Sequence, residues 1–150
     1  MFSAAVGHSE DTDATAVANE LVAAFSAGDW ARFRATIAPD VVYEETGTGR
    51  RTAGAGAYVA LCQGWRDAFP DATGAIERTI AHGPVVAQEV TWEGTQQGPL
   101  PTANGAIPAS GRPIRVAGTI RYTMRDGRAT TIRHHLDVLT MLGQLGALPM

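Results

Sequence analysis

Hydrophobic residues recur at helical spacing in several segments of the chain. The first predicted helix begins near Thr15, and its apolar residues share one face: Val17, Leu21, Ala24 and Phe25. Gly28 suits the left-handed end of that helix, and Asp29 suits the cap of a second short helix that Pro39 ends. A third helix over residues 55–69 has Tyr58, Leu61, Cys62 and Trp65 on one face, and a fourth follows over 138–145.

Other segments are typical of strands. Residues 41–45, 75–81 and 85–94 are rich in β-forming residues, and over residues 114–125 apolar and polar side chains follow a period of two. Asp126-Gly127 signals a hairpin that leads into a returning strand over 130–136. Helices, one strand, a helix and then an antiparallel meander predict an α+β fold, in which helices cover one face of a curved sheet and leave a pocket between the layers.

Composition limits the class of protein. With 150 residues, of which 45% are hydrophobic and 18% charged, the chain has the size and balance of one globular domain, expected over residues 13–150. The net charge of −3 argues against nucleic acid as a partner. Cys62 stands alone, so no intramolecular disulfide can form.

The N-terminal residues MFSAAVGHSEDTD have no basic start and carry acids where a signal peptide is apolar. No run approaches the roughly 20 apolar residues of a membrane span. We therefore expect a flexible lead over residues 1–12, a cytoplasmic protein and no membrane partner.

Several motifs resemble one known family. They are SAGDW, APDVVYEE, AFPD, WEGTQQGPL, IPASGRPIRV, MRDGR and the ending LDVLTMLGQLGALP. Over nearly all of the chain after the lead, they resemble the SnoaL-like polyketide cyclases and ester cyclases, within the nuclear-transport-factor-2-like folds. The resemblance implies a cystatin-like curved antiparallel sheet wrapped around helices, a cone with an internal apolar pocket. It further implies a cofactor-free enzyme, often a homodimer, that acts on a hydrophobic small molecule.

His134 is the first candidate for proton chemistry. On a strand it points the same way as Ile132 and Leu136, which suggests that it faces the interior. The resemblance places at His134 the position where characterised cyclases have an acid–base carboxylate. A histidine can transfer protons near neutral pH, but a core histidine bonded to a backbone carbonyl is an equal alternative.

Tyr43 and Glu45 share one face of the first strand. This stretch resembles the ketosteroid isomerases, whose catalytic carboxylate falls at Glu45, although the tyrosine of their oxyanion site falls at Leu21. A carboxylate in an apolar pocket can take a proton from a carbon beside a carbonyl. We expect Tyr43 to donate a hydrogen bond to the enolate oxygen that develops.

Two further acids are weaker candidates. Asp137 matches a frequent aspartate of the family, but its place just before the last helix favours an N-cap. Glu89 would contact substrate only if its face of the strand borders the pocket, and solvation is the alternative.

A flat ligand would be bound by aromatic residues, for which the candidates are Phe25, Tyr58, Trp65, Trp92 and Tyr122. No metal site is expected, because neighbouring strand residues such as His134 and His135 point apart.

The sequence therefore predicts a cyclase of natural-product biosynthesis, with His134 as the acid–base group, Glu45 as a second acid–base or positioning group and Asp137 as a minor candidate. A hydroxylase, an epoxide-opening enzyme or an isomerase would use the same pocket. The alternative from another class is a carrier that sequesters a hydrophobic compound without changing it.

Overall fold

The computed structural model describes the backbone of residues 2–148 and the side chains of residues 13–148. Four helices lie in this part of the chain: α1 (Phe2–Ala27), α2 (Trp30–Ala35), α3 (Ala55–Ala68) and α4 (Val138–Leu145). Its strands are β1 (Ile37–Glu45), β2 (Arg50–Ala53), β3 (Thr73–His82), β4 (Val85–Thr95), β5 (Leu100–Thr102), β6 (Gly105–Ile107), β7 (Pro113–Arg125) and β8 (Arg128–Leu136).

Six strands form one sheet in the order β2-β1-β8-β7-β4-β3, and β5 pairs with β6 apart from it. The predicted antiparallel meander is confirmed for β3, β4, β7 and β8. One pair differs from the expectation, because β1 and β8 run parallel. The last strand thus returns through the middle of the sheet, between the first strand and β7.

Helices α1 and α3 cover the inner face of the sheet, as the α+β pattern predicted. The alternation along β7 places its apolar side chains inside, at Ile114, Val116, Ile120, Tyr122 and Met124. The predicted face of α1 is buried at Leu21, Ala24 and Phe25. Helix α4 closes one end of the layer, where Met141 and Leu145 pack in a smaller cluster with Phe69 and Leu100.

Two boundaries differ from those predicted. Ile37 begins β1 rather than continuing α2, and Pro39 lies within that strand instead of ending a helix. The pairing of β1 with β8 shifts register between Ile37 and Val42. Proline has no N–H to donate to the ladder, so within a sheet it is found at such interruptions.

The N-terminal helix starts earlier than its apolar pattern indicates. The backbone of residues 2–12 continues α1 to Phe2, whereas the pattern placed the start near Thr15. The sequence predicts a flexible lead over residues 1–12. The side chains of these residues lie outside the described range, so their mobility stays a prediction. Within the described residues, no helix combines the length and apolarity needed to cross a membrane.

Candidate active site

A cavity of about 80 Å³ lies between the helices and the inner face of the sheet. Its wall is mostly apolar and rich in aromatic rings: Phe25, Phe33, Tyr58, Trp65, Phe69 and Trp92. Four of these, at positions 25, 58, 65 and 92, were predicted to contact a ligand, and all four line the cavity. The wall also includes Tyr43, His134 and Glu93, which bring polar atoms to a mostly apolar surface.

The parallel pairing of β1 and β8 assembles the polar part of the site. Glu45 lies opposite His134 in the register of the two strands, and Tyr43 lies opposite Ile132. All three polar side chains point inward and are buried, with Glu45 only 1% exposed. Glu45 lies behind Tyr43, outside the set of residues that line the cavity.

Both carboxylate oxygens of Glu45 accept hydrogen bonds. Oε2 accepts from the Tyr43 hydroxyl and from Trp65 Nε1 at 3.0 Å, and Oε1 accepts from Thr48 Oγ1 at 2.7 Å and Arg50 Nε at 3.1 Å. Burial raises the pKa of Glu45, but the Arg50 charge and these hydrogen bonds outweigh it, so the pKa lies below its ordinary value. Glu45 is therefore a buried, fully partnered anion at neutral pH.

Short polar contacts connect Glu45 through Tyr43 and His134 to Trp92. The Tyr43 hydroxyl lies 3.2 Å from His134 Nδ1, and Trp92 Nε1 donates to His134 Nε2 at 3.2 Å. An indole N–H can only donate, so Nε2 must be an acceptor and the proton of the neutral imidazole must be on Nδ1. We refer to Glu45, Tyr43, His134 and Trp92 as the site network.

Burial keeps His134 neutral. Desolvation lowers the pKa of its imidazole to about 4, although the nearby Glu45 charge acts in the opposite direction. At neutral pH, Nε2 thus carries no proton, and its electron pair accepts the hydrogen bond from Trp92 Nε1. Burial makes the ring a weaker base than a free histidine, but Nε2 can accept a proton, and the buried carboxylate that is linked to the ring through Tyr43 stabilises the imidazolium that forms.

The structure changes the role expected for Tyr43. The sequence predicts that Tyr43 donates to an enolate oxygen. In the structure its hydroxyl donates to Glu45 instead, so its proton is not available for that role. Burial, and then the neighbouring Glu45 charge, raise the pKa of Tyr43 well above its usual value. Tyr43 instead connects the carboxylate to His134.

Three other expected site residues lie away from the cavity. Asp137 is exposed at the N-cap of α4, where its Oδ1 accepts from the Thr140 N–H at 3.1 Å. Glu89 is exposed on the outer face of β4, because Gln88 and Val90 occupy the inner face. Tyr122 points inward but is fully buried in the core beyond the cavity wall.

Sequence reasoning missed two partners of Glu45. Thr48 and Arg50 lie in and after the turn between β1 and β2, and Arg50 also stacks on Trp65 with 4.9 Å between the guanidinium carbon and the ring centroid. The signal was the segment TGTGRR, which directly follows Glu45 and was interpreted only as a loop. A hairpin there returns a basic residue to the carboxylate.

Comparisons with known proteins give one family. The model of the SnoaL-like polyketide cyclases matches residues 15–145. No curated protein matches this chain. Among solved structures, IdmH from Streptomyces antibioticus, proposed to be a polyketide cyclase, is 28% identical, with a TM-score of 0.74 over 89% of this chain and 98% of that one.

Two further structures share the fold. A protein from Jannaschia, proposed to be a SnoaL-like polyketide cyclase, is 20% identical and has a TM-score of 0.81 over 93% of this chain and 96% of that one. AclR from Streptomyces galilaeus, proposed to be a hydroxylase, is 22% identical and has a TM-score of 0.78 over 93% of this chain and 85% of its own. The same cone therefore occurs in proteins assigned to different reactions.

Proposed function

Because this chain belongs to the family of SnoaL-like polyketide cyclases, we propose that it is a cofactor-free cyclase of natural-product biosynthesis. Its substrate is a hydrophobic compound with a carbonyl group, and the ring closes by acid–base catalysis. One observation carries this proposal: a neutral histidine, held in one tautomer by the site network, lies in the wall of an apolar cavity.

The first step is proton abstraction beside the carbonyl. His134 Nε2 takes the proton, and the electron pair of the broken C–H bond moves onto the carbonyl oxygen. The imidazolium that forms donates through Nδ1 to Tyr43, whose hydroxyl is bonded to the Glu45 anion. Glu45 thus stabilises the charge on the ring without touching the substrate.

Ring closure follows within the cavity. The enolate carbon attacks an electrophilic carbonyl carbon of the same molecule, a C–C bond forms, and the new alkoxide takes the proton back from His134. The product is an isomer of the substrate. The aromatic wall contributes by folding a flexible substrate so that its two ends meet, which replaces a search in solution by a fixed geometry.

Among the alternatives, hydroxylation is supported by the shared fold of AclR alone. Epoxide opening around a water held by an Asp–Arg–Asp group is not supported by Arg133 and Asp137, because both are exposed and lie outside the cavity wall. A carrier needs the apolar cavity but gives no reason for a buried carboxylate behind the histidine. We therefore place the cyclase first.

Native mass spectrometry of the protein, after incubation with an extract of its source organism, tests the proposal. A compound that binds and is released as an isomer of unchanged mass supports ring closure. Addition of one oxygen contradicts it in favour of a hydroxylase, addition of water favours a hydrolase, and release of an unchanged compound favours a carrier.

Two variants assign the chemistry to the site. H134Q removes the base, whereas H135Q changes the next residue of β8, which is exposed on the opposite face. We expect isomer formation to be lost in H134Q and kept in H135Q. Equal activity of both variants would contradict the role of His134. A homodimer and a cytoplasmic location stay predictions from the sequence.

A further inference from the structure

Two glycines on neighbouring strands leave the space that the indole of Trp92 occupies. Gly74 of β3 pairs directly with Trp92, and a Cβ atom on Gly74 would lie 2.7 Å from Cζ3 of the indole. On the other side, a Cβ atom on Gly118 of β7 would lie 3.2 Å from Trp92 Nε1 and 2.7 Å from His134 Nε2. The edge-on ring of Phe25 contacts the indole at a centroid distance of 5.3 Å. Two missing side chains thus make the room in which the Trp92–His134 bond forms.

The two bonded atoms form a donor–acceptor pair in an apolar wall. Trp92 Nε1 and His134 Nε2 are 3.2 Å apart, and each satisfies the other while no substrate is bound. An enolisable ketone offers the complementary pair: an oxygen that accepts a hydrogen bond and, on the neighbouring carbon, a C–H that can be deprotonated. Such a group can replace the Trp92–His134 bond by one contact to each residue.

Two other donors at the site are already committed to the carboxylate. The hydroxyl of Tyr43 and the indole N–H of Trp65 both donate to Glu45, which lies behind the cavity wall. The N–H of Trp92 is different, because it points at the nitrogen that the substrate has to reach. The donor and the base therefore meet at one place.

We propose that Trp92 is a second catalytic residue, whose indole N–H moves from His134 Nε2 to the carbonyl oxygen of the substrate and stabilises the enolate. This inference rests on the proposed function and adds the donor that Tyr43 does not supply. In the step, the C–H bond breaks, its proton goes to His134 Nε2 and its electron pair goes to the oxygen. Trp92 keeps its own proton throughout and contributes a hydrogen bond that is stronger to the enolate than to the ketone.

Hydrogen–deuterium exchange of β-tetralone in D₂O, followed by proton NMR, measures the first step without knowledge of the natural substrate. The wild type is compared with W92F, which keeps an aromatic ring but has no N–H. The matched control is W30F, because Trp30 lies outside the cavity wall and is separated from Trp92 by the ring of Phe25. We expect kcat of exchange to fall about 100-fold in W92F and to stay within about twofold of the wild type in W30F.

A second measurement uses the wild type alone. The indole N–H resonance of Trp92, assigned by its loss in W92F, is followed during titration with β-tetralone. We expect it to shift on binding, because the hydrogen bond changes its acceptor from nitrogen to oxygen. A slow W92F combined with an unshifted indole resonance would show a structural role and overturn the inference.

The outcomes separate this inference from the function beneath it. If the wild type exchanges β-tetralone, H134Q does not, and W92F matches the wild type, then Trp92 is not catalytic and the proposed function stands. If the wild type exchanges no faster than H134Q, the proposed function itself fails and the inference falls with it.

Discussion

The Nδ1 atom of His134 lies 3.2 Å from the hydroxyl oxygen of Tyr43, although 91 residues separate them in the sequence. The ends of the site network determine every proton in it. Trp92 can only donate and the ionised Glu45 can only accept, so the hydrogens must all point from the indole toward the carboxylate. This direction leaves His134 neutral and protonated on the nitrogen that faces Tyr43.

The buried neutral histidine predicts a pH-dependent stability. The pKa of His134 is lowered from 6.5 to about 4 in the folded protein, so the unfolded chain binds the extra proton between these values. Its contribution to stability is complete above pH 6.5 and is lost as the pH falls toward 4. We expect the free energy of unfolding of H135Q, which keeps His134, to decrease by about 2 kcal/mol more than that of H134Q between pH 7.5 and 4.5.

Urea denaturation at the two pH values measures this difference. Equal losses in H134Q and H135Q would show that His134 is not held neutral. The titration of its imidazole, followed by NMR in the wild type, gives an independent value for its pKa.

Replacement of the buried carboxylate should destabilise the fold. E45Q removes the charge that partners Arg50, and the amide brings N–H donors to a place where Tyr43, Trp65 and Thr48 already donate. Because the Arg50 side chain is 31% exposed and can turn to water, we expect a loss of about 2 kcal/mol rather than the full cost of a buried unpaired charge.

The adjacent residue provides the control for E45Q. Glu44 points to the other face and lies 3.8 Å from Arg51 in an exposed pair, so E44Q should change stability by less than about 0.5 kcal/mol. Denaturant unfolding at pH 7 compares the two variants. Equal effects would mean that the partners of Glu45 do not stabilise the fold.

Gly118 should not tolerate even one methyl group. In G118A the Cβ atom would lie 2.7 Å from His134 Nε2, so the imidazole has to move and its bond to Trp92 breaks. We expect a loss of about 1–3 kcal/mol and a changed indole N–H resonance of Trp92. G64A is the control, because Gly64 lies in α3 with open space around its Cβ position, and alanine there should stabilise the helix by about 0.5–1 kcal/mol.

Asp137 should act as a helix cap and not in catalysis. D137A removes the acceptor for the Thr140 N–H and should cost about 1 kcal/mol of stability, with the rate of β-tetralone exchange unchanged. D137N keeps a capping oxygen but removes the carboxylate, so its stability and rate should both resemble those of the wild type. A slow D137N of normal stability would restore Asp137 as a catalytic carboxylate.

Alternation along the strands predicted which side chains face inward. His134 is buried with Ile132, and Tyr43 with Glu45, as the period of two indicated. The meeting of these two groups was not predictable, because it depends on β1 and β8 pairing in parallel, and periodicity says nothing about which strands are neighbours.

The misplaced residues have a related explanation. Alternation indicates that Tyr122 is inside, but the position of the cavity along the inner face depends on how α1 and α3 pack. The sequence does not determine which face of β4 is the inner one. Gln88 and Val90 are buried in the structure, so Glu89 lies on the outer face. For Asp137, capping and catalysis need the same residue type, so only the position of its carboxylate separates them.

The order of the strands also affects how the protein is made. β8 is the last of the strands to be synthesised but lies in the middle of the sheet, between β1 and β7. Without β8, no strand connects β1–β2 to β3–β4–β7, and the edges at β1 and β7 are open to pairing with other chains. Contacts between residues so distant in sequence form slowly, and pairing of β8 with both neighbours is what covers these two edges and brings His134 to Tyr43.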